Sequence, residues 1–155
     1  MQKINLKAVT ALLGLMATSV WAADVEVIDA YVRAVPPGAP ATAAFMRLKD
    51  NGDDVALVKA HSDVAESVEL HTHTNDNGVM RMRPIKQLDL KKGETTVLQP
   101  GGHHIMMIGL KQPLTVGETV EIDLEFSDGS HQKVSAPIRK IEMNMMGGGH
   151  VPPHE

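Results

Sequence analysis

Two histidines and two methionines are spaced along the sequence so that their side chains could meet at one site. They are His71, Met82, His104 and Met106, separated by ten, twenty-one and one residues. Side chains two apart on a β-strand project from the same face, so one strand would supply both His104 and Met106. Two thioethers and two imidazoles form a soft, uncharged ligand set that suits Cu(I) better than Zn(II), Ca(II) or Mg(II). The pattern predicts a copper site.

His71 and Met82 would lie on the two strands of one hairpin, and the sequence permits two pairing registers for these strands. Asn77-Gly78 is a strong signal for a two-residue type I′ loop, which places His73 opposite Met82. A turn centred one residue earlier places His71 opposite Met82 instead. In either register His71, His73, Met80 and Met82 lie on one side of the hairpin. The residues alone therefore leave both histidines as candidate ligands, with His73 and Met80 as a secondary set.

The alternative without a metal is that each methionine is a core residue and each histidine a polar residue with hydrogen-bond partners. It is weaker for the four residues together, because Ile105 and Met107 already supply the core face of the strand that carries His104 and Met106. The chain holds ten methionines, eight histidines and no cysteine. The absence of cysteine excludes a thiolate zinc or Cu(I) site, a dithiol redox motif, a blue-copper ligand set and a lipid anchor on cysteine.

The N-terminal residues have the plan of a secretory signal peptide, with Lys3 and Lys7 before an apolar run and cleavage expected after about Ala22. We therefore predict a signal peptide over 1–22, one domain over 23–141 and a tail over 142–155, in the periplasm. No membrane anchor is expected, because no stretch reaches the roughly 20 apolar residues of a membrane helix. The net charge of −4 argues against a nucleic-acid partner.

The domain is predicted to be all-β, a sandwich or small barrel. Short alternating or apolar runs are separated by turn residues, and no long 3.6-residue period is present. The run from Val120 to Phe126 alternates apolar and acidic residues as a half-buried strand does. The predicted strands are 25–33, 43–48, 55–60, 67–73, 79–83, 95–98, 104–108, 119–126 and 132–137.

The segment after the domain is rich in methionine and histidine. Its glycines and prolines and its lack of a core pattern predict a flexible tail. Its histidines would bind Cu(II) and its methionines Cu(I), which predicts a second copper-capturing site; the alternative is an end without a role. The residues concerned are Met143, Met145, Met146, His150 and His154.

These residues also resemble a known family, the PCuAC-type periplasmic copper chaperones. The similarity lies in Val68-Glu69-Leu70-His71, in Val79-Met80-Arg81-Met82-Arg83-Pro84 and in Gly101-Gly102-His103-His104-Ile105-Met106. It extends to Asp29-Ala30-Tyr31-Val32-Arg33 and to Ala43-Ala44-Phe45, and so covers most of residues 25–138.

The resemblance implies a cupredoxin-like Greek-key β-sandwich or barrel with a Cu(I) site on His71, Met82, His104 and Met106. It implies the register with His71 opposite Met82, and delivery of copper to the Cu(A) subunit of cytochrome c oxidase. Because the chain has no cysteine, it cannot reduce an acceptor's disulfide, so a thiol-bearing copper chaperone is expected as a further partner.

Two other functions compete with delivery. An enzyme is not expected: a histidine-brace monooxygenase needs histidine as its first mature residue, where Ala23 is predicted, and no Gly-x-Ser-x-Gly motif occurs. A copper buffer or resistance protein that sequesters the metal would use the same ligands, so only a transfer assay separates it from a chaperone. A plain β-sandwich module would bury the methionines and bind no metal.

Overall fold

The computed structural model describes residues 22–141, and all regular secondary structure within them is β-strand. The all-β prediction is therefore confirmed for this part of the chain. The predicted signal peptide, apart from Ala22, and the predicted tail lie outside the described residues. The strands are β1 (Val25–Arg33), β2 (Ala41–Asp50), β3 (Val55–His61), β4 (Ala65–Asp76), β5 (Val79–Pro84), β6 (Leu88–Leu90), β7 (Thr95–Leu98), β8 (His104–Leu110), β9 (Thr119–Phe126) and β10 (His131–Arg139).

Nine of the ten strands form one continuous hydrogen-bonded path. Its order is β5-β4-β8-β2-β1-β10-β9-β3-β6, and β7 pairs additionally with β2. The pairings are antiparallel except that of β1 with β10, which is parallel. Strand β5 lies at one end of this path and pairs only with β4. The predicted copper ligands thus fall on three consecutive strands at that end, β5, β4 and β8.

The core lies on the apolar face of these strands, as the alternating patterns predict. In β9, Val120, Ile122, Leu124 and Phe126 are buried, while the residues between them are exposed or half-buried. In β8, Ile105 and Met107 are fully buried. Removing this apolar surface from water, at about 25 cal/mol per Å², is the main stabilising contribution. The other face of β8 is thereby left to His104 and Met106.

The hairpin between β4 and β5 turns on Asn77 and Gly78, whose φ angles are +54° and +86°. Asparagine and glycine tolerate this left-handed conformation, which a type I′ loop requires at both central positions. The loop fixes the register, with His73 opposite Met82 and His71 opposite Pro84. The predicted pairing of His71 with Met82 is therefore wrong, because the Asn-Gly turn is one residue later than that register needs. The shift is by two residues, so the side chains keep their face.

Candidate metal centre

Three strands present the predicted ligands on one face of the sheet. His104 and Met106 of β8 lie on the face opposite Ile105 and Met107, as the alternation predicts. His71 of β4 pairs directly with His104. In β5, Met82 lies on the same face as its direct partner His73. The fold therefore gathers residues from two distant parts of the sequence.

A cavity of about 330 Å³ lies on this face. Met82, His104 and Met106 line it, and so does His73, whereas His71 does not. Three of the four predicted primary ligands and one of the predicted secondary residues thus share one space. The remaining walls are Arg33, Val35, Ala41, Thr42, Ala43, Phe45, Pro100 and Gly101.

The backbone carbonyl of Gly102 orients two of the imidazoles. It accepts hydrogen bonds from Nδ1–H of His104 at 3.0 Å and from Nδ1–H of His73 at 3.3 Å. This network assigns the proton of each neutral ring to Nδ1, which leaves the lone pair on Nε2. The Nε2 atom of His104 is buried and has no hydrogen-bond partner within residues 22–141. Burying a polar atom without a partner is costly, and the lone pair of this nitrogen is available to a metal ion.

In His71 the two ring nitrogens have the reverse roles from those in His104. Its Nε2–H donates to Oε2 of Glu69 at 2.8 Å, and its buried Nδ1 has no partner in the described part of the chain. The hydrogen bond from His71 lowers the pKa of the Glu69 carboxyl below its ordinary value. A carboxylate that holds the distal N–H of a histidine is the usual outer partner of a metal-binding imidazole. The Nδ1 lone pair of His71 is therefore available to a metal ion.

The imidazole of His104 is enclosed by other rings. The His73, His71 and Phe45 ring centroids lie 5.2, 5.7 and 6.3 Å from its own. The residue is only 3% exposed. Burial is the main cause that lowers the pKa of His104, and the neighbouring histidines lower it further, while the Gly102 carbonyl opposes the shift. The neutral form, which is the form that binds metal, is thereby favoured.

A titration of the metal-free protein should show this shift. We expect the protonation midpoint of His104, followed through its imidazole ¹⁵N resonances, to lie below the ordinary value of 6.5. Between that midpoint and pH 6.5, His104 is protonated in the unfolded chain but neutral in the folded one. Lowering the pH through this range therefore decreases the free energy of unfolding. A His104 midpoint at or above 6.5 would contradict the enclosed, neutral ring.

The methionines differ in their accessibility. Met106 is half-buried, whereas Met82 is 46% and Met80 56% exposed. Met80 pairs with Asn75 and does not line the cavity. Within residues 22–141, no three His, Cys, Asp or Glu side chains are arranged to hold a metal ion. The donors that line the cavity are the imidazoles of His73 and His104 and the thioethers of Met82 and Met106.

Two groups that contact His104 could not be predicted from the sequence patterns. The Gly102 carbonyl is a backbone group, and Phe45 reaches His104 only because β2 pairs with β8. The other predicted copper-capturing residues lie outside the described part of the chain; they are Met143, Met145, Met146, His150 and His154. Residues 22–141 contain no helix that could span a membrane.

Comparison with known proteins places this chain in a family. The sequence model of the LpqE-like family matches residues 25–138. Protein Lxx21020 of Leifsonia xyli subsp. xyli, which carries the word lipoprotein in its name, is 40% identical over 117 residues. That match covers 74% of this chain and 69% of the relative.

Solved structures show the same fold. The solution structure of CuI-DR1885 from Deinococcus radiodurans is 40% identical, with a TM-score of 0.60, and the match covers 77% of this chain and 80% of that one. The apo form of DR1885 matches at 38% identity and a TM-score of 0.61, covering 92% and 95%. The copper-bound PCuAC domain from PmoF2 is 17% identical, with a TM-score of 0.65, and covers 78% and 97%. The predicted cupredoxin-like fold is thereby confirmed.

Proposed function

We propose that this chain, which belongs to the LpqE-like family of PCuAC-type domains, is an exported copper chaperone that carries Cu(I) as its cargo. One observation carries the proposal. Met82, Met106 and His104 meet at one cavity, and the buried Nε2 of His104 has no partner among the described residues. Two thioethers beside a desolvated imidazole suit a soft cation, and thioethers bind it without losing a proton.

The proposed ligands are His71, Met82, His104 and Met106. The methionines would bind through sulfur, His104 through Nε2, and His71 through Nδ1 because its Nε2–H is held by Glu69. This set contains no charged ligand, so copper could leave without a compensating proton. The name of CuI-DR1885, a relative at 40% identity, supports Cu(I) as the ion.

His71 and His73 compete for the fourth position. His73 lines the cavity, which favours it, but its Nε2 is not among the buried nitrogens that lack a partner. The Nδ1 of His71 is among them, and a carboxylate 2.8 Å from its Nε2 fixes the ring. We therefore assign the resting site to His71, with His73 beside it.

A matched pair of variants tests this assignment, because the two histidines lie two residues apart on the same face of β4. We expect His71→Ala to weaken Cu(I) binding by at least about tenfold, and His73→Ala by less than about threefold. Anaerobic competition with a chromophoric Cu(I) chelator measures both affinities. The reverse order would transfer the ligand role to His73.

Delivery is favoured over storage by the position of Met82. This proposed ligand is 46% exposed on edge strand β5, so an incoming ligand of another protein can approach copper without unfolding the domain. We propose the Cu(A) subunit of cytochrome c oxidase as the acceptor, in a weak and transient contact. A separate thiol-bearing copper chaperone would keep the acceptor's cysteines reduced, since this chain has none.

Mixing the copper-loaded protein with a reduced, metal-free Cu(A) domain tests delivery. After separation of the two proteins, a chaperone leaves copper in the acceptor fraction. A buffer or resistance protein of equal affinity leaves copper on this chain. Turnover of an oxidase substrate by the loaded protein would instead favour an enzyme.

The segments outside the described residues enter the proposal through their sequence alone. Export to the periplasm rests on the predicted signal peptide over 1–22 and on the relative whose name contains the word lipoprotein. We propose that the tail over 142–155 captures Cu(II) and supplies the folded site. Unchanged Cu(II) stoichiometry after deletion of 142–155 would refute the role of the tail.

A further inference from the structure

Strand β5 is an edge strand whose six residues are all exposed. On one face, Arg81 and Arg83 contact Asp76, with N–O distances of 3.5 and 2.8 Å. On the other face, Met80 and Met82 are 56% and 46% exposed. Charged residues commonly protect a sheet edge from pairing with other chains, which accounts for Arg81 and Arg83 on the first face. Two adjacent exposed thioethers at such an edge need a separate explanation.

His73 supplies a third soft donor beside these methionines. It pairs directly with Met82, and Met80, which pairs with Asn75, is its diagonal neighbour. Direct partners lie about 5 Å apart at Cβ and diagonal ones roughly 7–8 Å, within reach of long side chains. The Nδ1–H of His73 is donated to Gly102 O at 3.3 Å, so Nε2 retains its lone pair.

We propose that His73, Met80 and Met82 form an exposed exchange site for Cu(I). The inference rests on the proposed function, because the exchange site shares Met82 with the proposed resting site. His73 and Met82 also line the cavity of His104 and Met106, whereas Met80 lies outside it. The three residues therefore connect the cavity to the edge of the sheet.

Transfer through this site is a ligand substitution. The bonds from copper to His73 Nε2 and Met80 sulfur form as the bonds to His71, His104 and Met106 break, while Met82 stays bound. Copper remains Cu(I) throughout, so no electron donor or acceptor is needed. No proton is released, since thioethers and a neutral imidazole bind without losing one.

The competing explanation is an apolar contact patch in which sulfur has no role. Met80→Leu separates the two, because leucine keeps the apolar surface and removes the sulfur. We expect this variant to bind Cu(I) with unchanged affinity and to release it to excess bicinchoninate about tenfold more slowly, a change of about 1.4 kcal/mol in the barrier. Val79→Ala, at a residue 54% exposed on the same strand, is the control and should leave both quantities unchanged.

His73→Ala should also slow release while the affinity remains close to that of the wild type. Release from Met80→Leu at the wild-type rate would overturn the exchange site. An affinity loss in Met80→Leu as large as that in Met82→Leu would also overturn it, because Met80 would then be a resting ligand. These outcomes differ from failure of the proposed function, in which the wild-type protein itself does not bind Cu(I).

Discussion

His104→Ala should reduce Cu(I) affinity more than any other single histidine substitution. His104 is the most enclosed group of the site, and its buried Nε2 has no partner within residues 22–141. Loss of an outer partner of a metal ligand already weakens binding by roughly 10- to 100-fold, so loss of the ligand should exceed about 100-fold. Anaerobic competition against a chromophoric chelator gives the affinity, and circular dichroism shows whether the fold is retained.

His131→Ala is the matched control for this variant. His131 is exposed on β10, which is not one of the three strands that carry the predicted ligands. Its Nδ1 lies 3.2 Å from Oδ2 of Asp123. Its removal should leave Cu(I) affinity unchanged. Equal affinities for His104→Ala, His131→Ala and the wild type would show that copper does not bind at the cavity.

Phe126→Ala is expected to have the largest effect on stability. Phe126 has the largest side chain among the fully buried ones, and it pairs with Leu57 between β9 and β3. Truncating a buried phenylalanine to alanine costs about 3–5 kcal/mol, through lost burial and the cavity left behind. Urea unfolding followed by circular dichroism should show a lower midpoint with an unchanged slope.

Val116→Ala provides the comparison for that measurement. Val116 is 50% exposed, so its truncation should change the free energy of unfolding by less than about 0.5 kcal/mol. Phe126 lies outside the cavity lining, and the folded fraction of Phe126→Ala should therefore bind Cu(I) as the wild type does. Similar unfolding midpoints for the two variants would contradict the assignment of Phe126 to the core.

Local patterns predicted most of the strands, because most of them have one buried face. The bounds of β1, β7 and β9 agree with the prediction, and β4 extends three residues beyond it toward the turn. The three-residue strand β6 was missed, since so short a run carries little periodicity and forms by pairing with β3. The parallel pairing of β1 with β10 joins the two ends of the domain and leaves no local signal.

The cavity brings together three of the four predicted ligands, in a register that differs from the one the resemblance implied. Spacing and alternation selected His104, Met106 and Met82, which line one cavity, and their role as copper ligands stays a prediction. The family resemblance is confirmed. The resemblance also suggested the pairing of His71 with Met82, which the Asn77-Gly78 turn excludes. Turn chemistry was the better guide there, because a two-residue loop fixes the hydrogen-bonded partners of both strands.

X-ray absorption at the copper edge of the Cu(I)-loaded protein tests the central claim most directly. The proposed site predicts one tightly bound ion with both sulfur and nitrogen scatterers, and the loss of one sulfur scatterer in each of Met82→Ala and Met106→Ala. Scattering from nitrogen and oxygen alone, or sulfur scattering unaltered in both variants, would contradict a copper site on these methionines.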